Sequence, residues 1–227
     1  MKFGVAVYPG SNCDYDTYYV IRDILNKDVS FVDYRESNIE KYDCIIVPGG
    51  FSFGDYLRPG AIASHTPLTN ALKEFTEKGK FVIGICNGFQ ILTEAHLLPG
   101  ALLPNNHGRF VCKHQYLKVE SNNTPFTKKL KKGEVIKLPI AHHDGNYFVD
   151  QDTLKKMEEN GQIILRYCDK DGNVTPDSNP NGSVSNIAGV SNDRFNVFGL
   201  MPHPERACES LLGLTDGLKL FLSIIEN

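Results

Sequence analysis

The chain has 227 residues, of which 41% are hydrophobic and 22% are charged, and its formal net charge is −3. These values are typical of a globular protein, and we expect a single domain over residues 1–227. The weak negative charge indicates no nucleic-acid partner, and the sequence shows neither a signal-peptide pattern nor an apolar stretch of membrane-spanning length. We therefore expect a cytoplasmic protein that binds neither nucleic acid nor membranes.

Short apolar segments alternate with helical patterns through the first half of the chain. Strands are predicted over residues 2–8, 29–34, 42–47 and 80–85, and helices over 14–26 and 68–78. Fully apolar strands that alternate with helices are typical of a parallel sheet with helices on both faces. Active sites of such sheets lie at the carboxyl ends of the strands.

The second half of the chain changes to alternating apolar and polar residues. Antiparallel edge strands are predicted over 110–120 and 134–140, a helix over 154–160, strands over 162–167 and 187–190, and a last helix over 217–225. The turn-rich segment 169–181 is predicted to be too polar for the core. Together these patterns predict an α/β fold of three layers: a flavodoxin-like, mostly parallel sheet with helices on both faces and an added antiparallel edge.

The cysteines give little sign of a disulfide or metal framework. The chain has six cysteines, and they are scattered without C-x-x-C spacing. This distribution argues against a zinc cluster or a set of disulfides. Cys44, inside an apolar segment, is typical of strand core.

One cysteine lies at the sharpest break in the pattern. The apolar segment 81–85 ends at Cys86, a helical pattern follows, and Gly84 and Gly88 flank the cysteine. This spacing is that of a nucleophile elbow, in which a buried strand delivers the nucleophile to a tight turn. Backbone N–H groups at the start of a helix favour a thiolate. Cys86 is therefore a candidate nucleophile; the alternative is a small buried hydrophobic residue.

A candidate base lies near the other end of the chain, in Pro202-His203-Pro204-Glu205. Pro204 favours an extended backbone at His203, and alternate side chains of an extended segment point the same way. We therefore expect His203 and Glu205 to share a face, as a general base and the carboxylate that orients it. The alternative is a structural histidine.

A glycine-rich loop, Pro48-Gly49-Gly50-Phe51, follows the third strand. Its backbone N–H groups can face a ligand without obstruction by side chains. The N–H of Gly50 or Phe51, together with that of Asn87, is a candidate donor pair for an oxyanion. The alternative is that the glycines only turn the chain.

Longer motifs run through the whole chain. They are residues 10–14 (GSNCD), 50–58 (GFSFGDYLR), 87–92 (NGFQIL), 181–183 (NGS) and 201–207 (MPHPERA). The set of residues 48–50 (PGG), 84–90 (GICNGFQ) and 203–205 (HPE), in this order, resembles the class I glutamine amidotransferases. More closely, the longer motifs resemble the glutaminase subunit of phosphoribosylformylglycinamidine synthase, an enzyme of de novo purine synthesis.

The resemblance implies a reaction and a site. Cys86 would attack the side-chain amide of glutamine, His203 would protonate the departing ammonia, and Glu205 would hold the imidazole. Gln90, one helical turn after the cysteine, would contact the bound glutamine; a surface helix residue is the alternative.

The resemblance also implies partners. Ammonia released into water becomes ammonium, which is no nucleophile, so a synthetase partner must receive it. The family supplies a large synthetase subunit and a small bridging subunit. No phosphate-binding Gly-Lys loop occurs in the sequence, so we expect no cofactor in this chain, with ATP and Mg²⁺ on the synthetase subunit. Asp55 and Arg58 would contact substrate charges or the partner; exposed ion pairs are the alternative.

One segment departs from the family pattern. Where these subunits usually have Ala-His-Gly-Glu-Gly, this chain has Ala141-His142-His143-Asp144-Gly145. His142 is a candidate contact at the mouth of the site or with the partner. A metal site is not predicted, because adjacent strand residues point to opposite faces and a third ligand at suitable spacing is missing.

Other functions remain open from the sequence. They are a glutaminase of another pathway, a cysteine-elbow peptidase or glyoxalase-like enzyme of the same superfamily, and a catalytically silent regulatory module. The long purine-type motifs argue against the first two, and the intact set Cys86, His203 and Glu205 argues against the third.

Overall fold

A computed structural model describes residues 1–226 of the chain. Its contacts distinguish two units: unit 1 contains Met1–Leu98 and Asn196–Gly199, and unit 2 contains Pro99–Phe195 and the residues from Leu200 onward. The single domain expected over 1–227 stays a prediction. In the part of the chain that the structure describes, no helix is long and apolar enough to cross a membrane.

The elements follow the predicted order closely. The strands are β1 Lys2–Val7, β2 Asp28–Asp33, β3 Cys44–Val47, β4 Phe81–Ile85, β5 Ala101–Leu103, β6 Val111–Val119, β7 Val135–His142, β8 Asn146–Phe148, β9 Ile163–Cys168, β10 Ile187–Ser191 and β11 Val197–Leu200. The helices are α1 Asp14–Tyr19, which continues as a π-helical segment Val20–Ile24, α2 Pro67–Glu77, α3 Asn87–Glu94, α4 Gln151–Glu159 and α5 Asp216–Ile225.

Unit 1 contains the parallel part of the fold. Its strands lie in the order β2-β1-β3-β4-β11, and β1 pairs in parallel with β2 and β3, as does β3 with β4. All four residues of β3 are buried, as expected for a strand covered on both faces. Helix α2 begins where the Thr66 side chain accepts a hydrogen bond from the N–H of Thr69, and it buries Leu68, Leu72 and Phe75.

Unit 2 contains the antiparallel part. Its strands lie in the order β10-β9-β6-β7, and each neighbouring pair is antiparallel. Strand β7 has the alternating burial that the sequence pattern predicts for an antiparallel strand. The α/β fold with a parallel sheet and added antiparallel strands is therefore confirmed.

Two features of unit 2 differ from the sequence predictions. Strands β5 and β8 form a small antiparallel sheet that the sequence pattern does not predict, because each has only three residues. The prediction that segment 169–181 is too polar for the core is wrong at its end, where Asn181 is 0% exposed. Its amide is buried because neighbouring polar groups satisfy it.

Candidate active site

The backbone at Cys86 has the geometry of a nucleophile elbow. Cys86 follows β4 directly, caps the start of α3, and has φ 52° and ψ −106°. A positive φ is strained for any residue with a side chain, and such strain concentrates at functional positions. The carbonyl oxygen of Cys86 accepts the first bond of the helix, from the N–H of Gln90 at 3.1 Å. The predicted strand-turn-helix arrangement is confirmed.

Two glycines allow helix α3 to pack this closely against the sheet. A Cβ atom on Gly88 would lie 1.9 Å from the carbonyl oxygen of Val47, and one on Gly84 would lie 2.5 Å from a methyl carbon of Leu92. Neither separation is sterically possible. The glycines of the elbow are therefore required by packing and not only by the turn.

Cys44 shows what the alternative role of a strand cysteine looks like. Its side chain is 0% exposed inside β3, and burial raises the pKa of its thiol far above the ordinary value. Cys86 is also buried, at 6% exposed, but it has a strained backbone and a place at a helix start. Cys44 is therefore a core residue of the sheet, whereas Cys86 has the position of a candidate nucleophile.

The two predicted oxyanion donors of the glycine-rich loop differ in the hydrogen bonds that their N–H groups make. Gly50 forms an isolated antiparallel bridge with Ser11, and the N–H of Phe51 donates to the carbonyl oxygen of Gly10 at 2.9 Å. Because the N–H of Phe51 already has an acceptor, Gly50 is the better candidate donor, and the oxyanion role of either residue stays a prediction. The bonds of the bridge do not use the N–H of Gly50. Gly50 has φ 150°, and a Cβ there would lie 2.7 Å from the N atom of Asn12, so only glycine fits.

Asn87 and Gln90 are joined in a buried polar chain. The N–H of Ser52 donates to Oδ1 of Asn87 at 3.0 Å, and Nδ2 of Asn87 donates to Oε1 of Gln90 at 2.9 Å. Ser52, Asn87 and Gln90 are 3%, 2% and 6% exposed. Gln90 is therefore an interior residue and not a surface helix residue. The backbone N–H of Asn87 lies in the first turn of α3, where helix N–H groups lack partners within the helix.

Asp55 and Arg58 lie on the same loop but differ in their surroundings. The guanidinium of Arg58 makes a bidentate pair with Glu94 of α3, at 2.6 Å and 2.5 Å, and its side chain is 63% exposed. This is the ion pair that was the alternative for Arg58. Asp55 is half-buried with φ 56°. A substrate or partner contact of either residue stays a prediction.

His203 and Glu205 form the predicted pair. Nδ1 of His203 lies 2.6 Å from Oε1 of Glu205, and the two side chains are 3% and 0% exposed. A carboxylate can only accept, so Nδ1 carries the proton and Nε2 is the basic nitrogen. The expected route to this pair was wrong: Glu205 lies in a 3₁₀ turn, Pro204–Arg206, and not in an extended segment. The turn brings the carboxylate back toward the imidazole.

His142 lies near His203 in unit 2 and is held neutral. Nδ2 of Asn181 lies 3.0 Å from Nε2 of His142 and 2.8 Å from the carbonyl oxygen of Gly145. Because a carbonyl can only accept, the Asn181 amide presents its NH₂ to both groups, and His142 accepts at Nε2. Burial, followed by the charges of His203 and His107, lowers the pKa of His142 to about 3.

The turn that follows His142 is held by a second buried amide. Asn105 is 2% exposed; its Nδ2 donates to the carbonyl oxygen of His142 at 3.0 Å and its Oδ1 accepts from the N–H of Gly145 at 3.1 Å. Sequence reasoning missed both amides. Asn181 belongs to the NGS motif of the family resemblance, and this motif is the one feature of the sequence that could have indicated its importance.

His143 and Asp144 do not join His142. His143 is exposed while His142 is buried, as expected for adjacent residues at the end of a strand. Nδ1 of His143 instead pairs with Oδ2 of Asp144 at 2.9 Å. The absence of a metal from this segment stays a prediction.

The structure thus assembles two groups of candidate residues, one in each unit. Cys86, Gly50, Asn87 and Gln90 belong to unit 1, whereas His203, Glu205 and His142 belong to unit 2. A thiol at an elbow, a polarised imidazole and candidate N–H donors are the parts that acyl transfer to cysteine requires.

Comparison with known proteins first defines the class. The family described as the CobB/CobQ-like glutamine amidotransferase domain matches residues 1–213, which include every candidate residue. The fold is therefore that of a glutamine amidotransferase domain.

Closer relatives then define the particular family. The chain is 65% identical to phosphoribosylformylglycinamidine synthase subunit PurQ of Aquifex aeolicus, with 100% of both chains covered, and 53% identical to that of Moorella thermoacetica, with 100% of this chain and 96% of the relative covered. A chain of the solved structure of PurLQS from Thermotoga maritima matches with a TM-score of 0.88 and 46% identity, covering 99% of this chain and 97% of that one. The chain belongs to the PurQ family of glutamine amidotransferases.

Proposed function

We propose that this protein is the glutaminase subunit of a phosphoribosylformylglycinamidine synthase. It hydrolyses L-glutamine to glutamate and ammonia through a thioester on Cys86. The observation that carries this proposal is the elbow itself: a cysteine with φ 52° at the first turn of α3, in a chain 65% identical to a PurQ subunit.

The first half-reaction forms the thioester. Nε2 of His203 takes the proton of the Cys86 thiol, and the sulfur attacks the amide carbon of glutamine. The carbonyl electrons move to oxygen, and the N–H groups of Gly50 and Asn87 stabilise this oxyanion, each donor contributing about 3 kcal/mol. When the oxyanion collapses, the C–N bond breaks and His203 returns its proton to nitrogen, which leaves as ammonia.

The second half-reaction regenerates the thiol. His203 takes a proton from water, the resulting hydroxide attacks the thioester carbon, and the C–S bond breaks to release glutamate. The sulfur then regains the proton from the imidazole. Glu205 keeps Nδ1 protonated throughout, so that Nε2 alone exchanges protons.

The ammonia passes to a synthetase. The relatives are named as subunits of phosphoribosylformylglycinamidine synthase, and the large synthetase subunit and the small bridging subunit are the partners proposed here. ATP and Mg²⁺ are bound by the synthetase subunit, and this chain uses no cofactor. A cytoplasmic location is part of this proposal.

The test compares two nitrogen sources in the complex with the synthetase and bridging subunits. Cys86→Ala removes the nucleophile, so glutamate release and glutamine-dependent amidine synthesis should be lost, while synthesis from added ammonia continues. Cys112→Ala, at the exposed cysteine, is the matched control and should keep both activities. Glutamate release that persists in Cys86→Ala would contradict the proposed function.

A further inference from the structure

The buried chain from Ser52 through Asn87 to Gln90 has only one possible polarity. The backbone N–H of Ser52 can only donate, so the oxygen of the Asn87 amide must face it at 3.0 Å. The NH₂ of Asn87 therefore faces Gln90 at 2.9 Å. Oε1 of Gln90 therefore accepts this hydrogen bond, and the NH₂ of Gln90 points away from Asn87.

We propose that Asn87 is a positioning residue, whose side chain fixes the glycine-rich loop to the first turn of α3 and sets the orientation of the Gln90 amide. This inference rests on the proposed function, because it assigns parts of that same site. The backbone N–H of Asn87 is a candidate oxyanion donor, and its side chain has a separate role: it binds Ser52 and Gln90.

The first action of Asn87 concerns the oxyanion donors. One candidate donor, the N–H of Gly50, lies on the loop, and the other, the N–H of Asn87, lies on the helix. Stabilisation of an oxyanion requires both donors to be held in place before the charge develops. The bond from Ser52, two residues after Gly50 in the chain, to Oδ1 of Asn87 connects the loop and the helix directly.

The second action concerns Gln90. A glutamine amide can be turned either way unless its partners decide the orientation. Here Asn87 donates to Oε1, so the amide keeps its NH₂ as the end turned away from Asn87. In the proposed function Gln90 contacts the bound glutamine, so a reversed amide would exchange the donor and the acceptor that the substrate meets.

Three substitutions separate the two actions. Asn87→Leu is similar in size and removes both hydrogen bonds. Asn87→Asp keeps an acceptor for the Ser52 N–H but, as a carboxylate, cannot donate to Gln90. Gln90→Met leaves the bond between Ser52 and Asn87 in place and removes the amide. Asn70→Leu, at an exposed asparagine of α2, is the matched control.

The experiment measures kcat and KM for glutamine hydrolysis in the assembled complex. Asn87→Leu should lower kcat about a hundredfold, the scale of a lost oxyanion contact, and raise KM. Asn87→Asp should recover kcat to within about tenfold of the wild-type value while KM stays raised, and Gln90→Met should raise KM about tenfold with kcat nearly unchanged. Asn70→Leu should leave both constants unchanged.

A second measurement shows whether the elbow itself is intact. Iodoacetamide alkylates an accessible thiolate without needing an oxyanion site, so its rate with Cys86 should change by less than about threefold in Asn87→Leu and Asn87→Asp. A wild-type kcat in Asn87→Leu would overturn the inference, as would an Asn87→Asp variant with a kcat as low as that of Asn87→Leu. Neither result bears on the nucleophile, which only the Cys86→Ala experiment tests.

Discussion

The elbow of unit 1 and the histidine region of unit 2 are constructed in different ways. The elbow occupies five consecutive residues, and its shape comes from backbone angles and from two glycines that admit close packing. In the histidine region, the side chains of Asn105 and Asn181 reach His142 from 37 and 39 residues away. Hydrogen bonds from distant residues determine its geometry, in addition to a close approach at Gly145, where a Cβ would lie 2.1 Å from a ring carbon of His142.

This difference indicates how each region should fail. A single added carbon damages the elbow, because rigid backbone atoms surround it. The histidine region should also fail on the loss or reversal of a hydrogen bond, since a buried polar group is then left without a partner.

The largest effect is expected from Glu205→Gln. A glutamine amide can donate to Nδ1 of His203, which moves the imidazole proton to Nε2 and removes the base. We expect kcat for glutamine hydrolysis to fall about 10³- to 10⁴-fold with little change in unfolding free energy. Glu159→Gln, at an exposed residue of α4, is the control. A Glu205→Gln enzyme within tenfold of wild type would show that the hydrogen bond to Glu205 does not orient the base.

Gly88→Ala is expected to have the largest effect on stability. The new Cβ would lie 1.9 Å from the carbonyl oxygen of Val47, so strand and helix must separate. The unfolding free energy, measured by urea denaturation, should fall by about 3 kcal/mol. Gly79→Ala is the control, because a Cβ there meets nothing within 4 Å and only its φ of 78° opposes the change. Equal losses in the two variants would mean that packing at the elbow is not tight.

A smaller effect is expected from the pH dependence of stability at His142. Its pKa is about 3 in the folded protein, against 6.5 for an unperturbed histidine, so between these values the unfolded chain binds a proton that the native protein does not. The stability that His142 contributes is therefore present above pH 6.5 and is lost as the pH falls toward 3. The extra slope is about 1.4 kcal/mol per pH unit.

His142→Gln should remove this slope, because glutamine does not titrate and its oxygen can accept from Asn181. Unfolding free energies of both proteins, measured from about pH 4 to about pH 8, give the comparison. Parallel curves would mean that His142 has the same pKa in the folded and the unfolded protein.

The smallest effect is expected at Arg58. Its pair with Glu94 is bidentate but the arginine side chain is 63% exposed, and solvent screens such pairs. Arg58→Gln should lower the unfolding free energy by less than about 1 kcal/mol. A larger loss would mean that the loop after β3, which contains Arg58, depends on this ion pair for its structure. Reduced affinity for the synthetase subunit, measured on the same variant, would instead support the predicted partner contact.

The parts of the molecule that the sequence predicts are those that depend on neighbouring residues. The parallel strands, helix α2 and the Cys86 elbow follow from local patterns of apolar residues, glycine and proline. The pair of His203 and Glu205 was also predicted, but for a reason that the 3₁₀ turn at Pro204 overturns.

The parts that were missed depend on distant residues. The burial of Asn181 follows from acceptors on His142 and Gly145, and the use of the Phe51 N–H follows from a carbonyl group on Gly10. No local pattern contains such pairings. Polar residues in a turn-rich segment look solvent-exposed until the groups that satisfy them are known.

The positive φ of Cys86 serves catalysis at the expense of thermal stability. Glycine is the residue that adopts such an angle without steric penalty, so Cys86→Gly should melt at a higher temperature than Cys86→Ala, although neither variant has a sulfur. A higher melting temperature in Cys86→Gly than in Cys86→Ala would show that the backbone is strained at position 86. The enzyme cannot remove this strain with a glycine, because the reaction needs the sulfur.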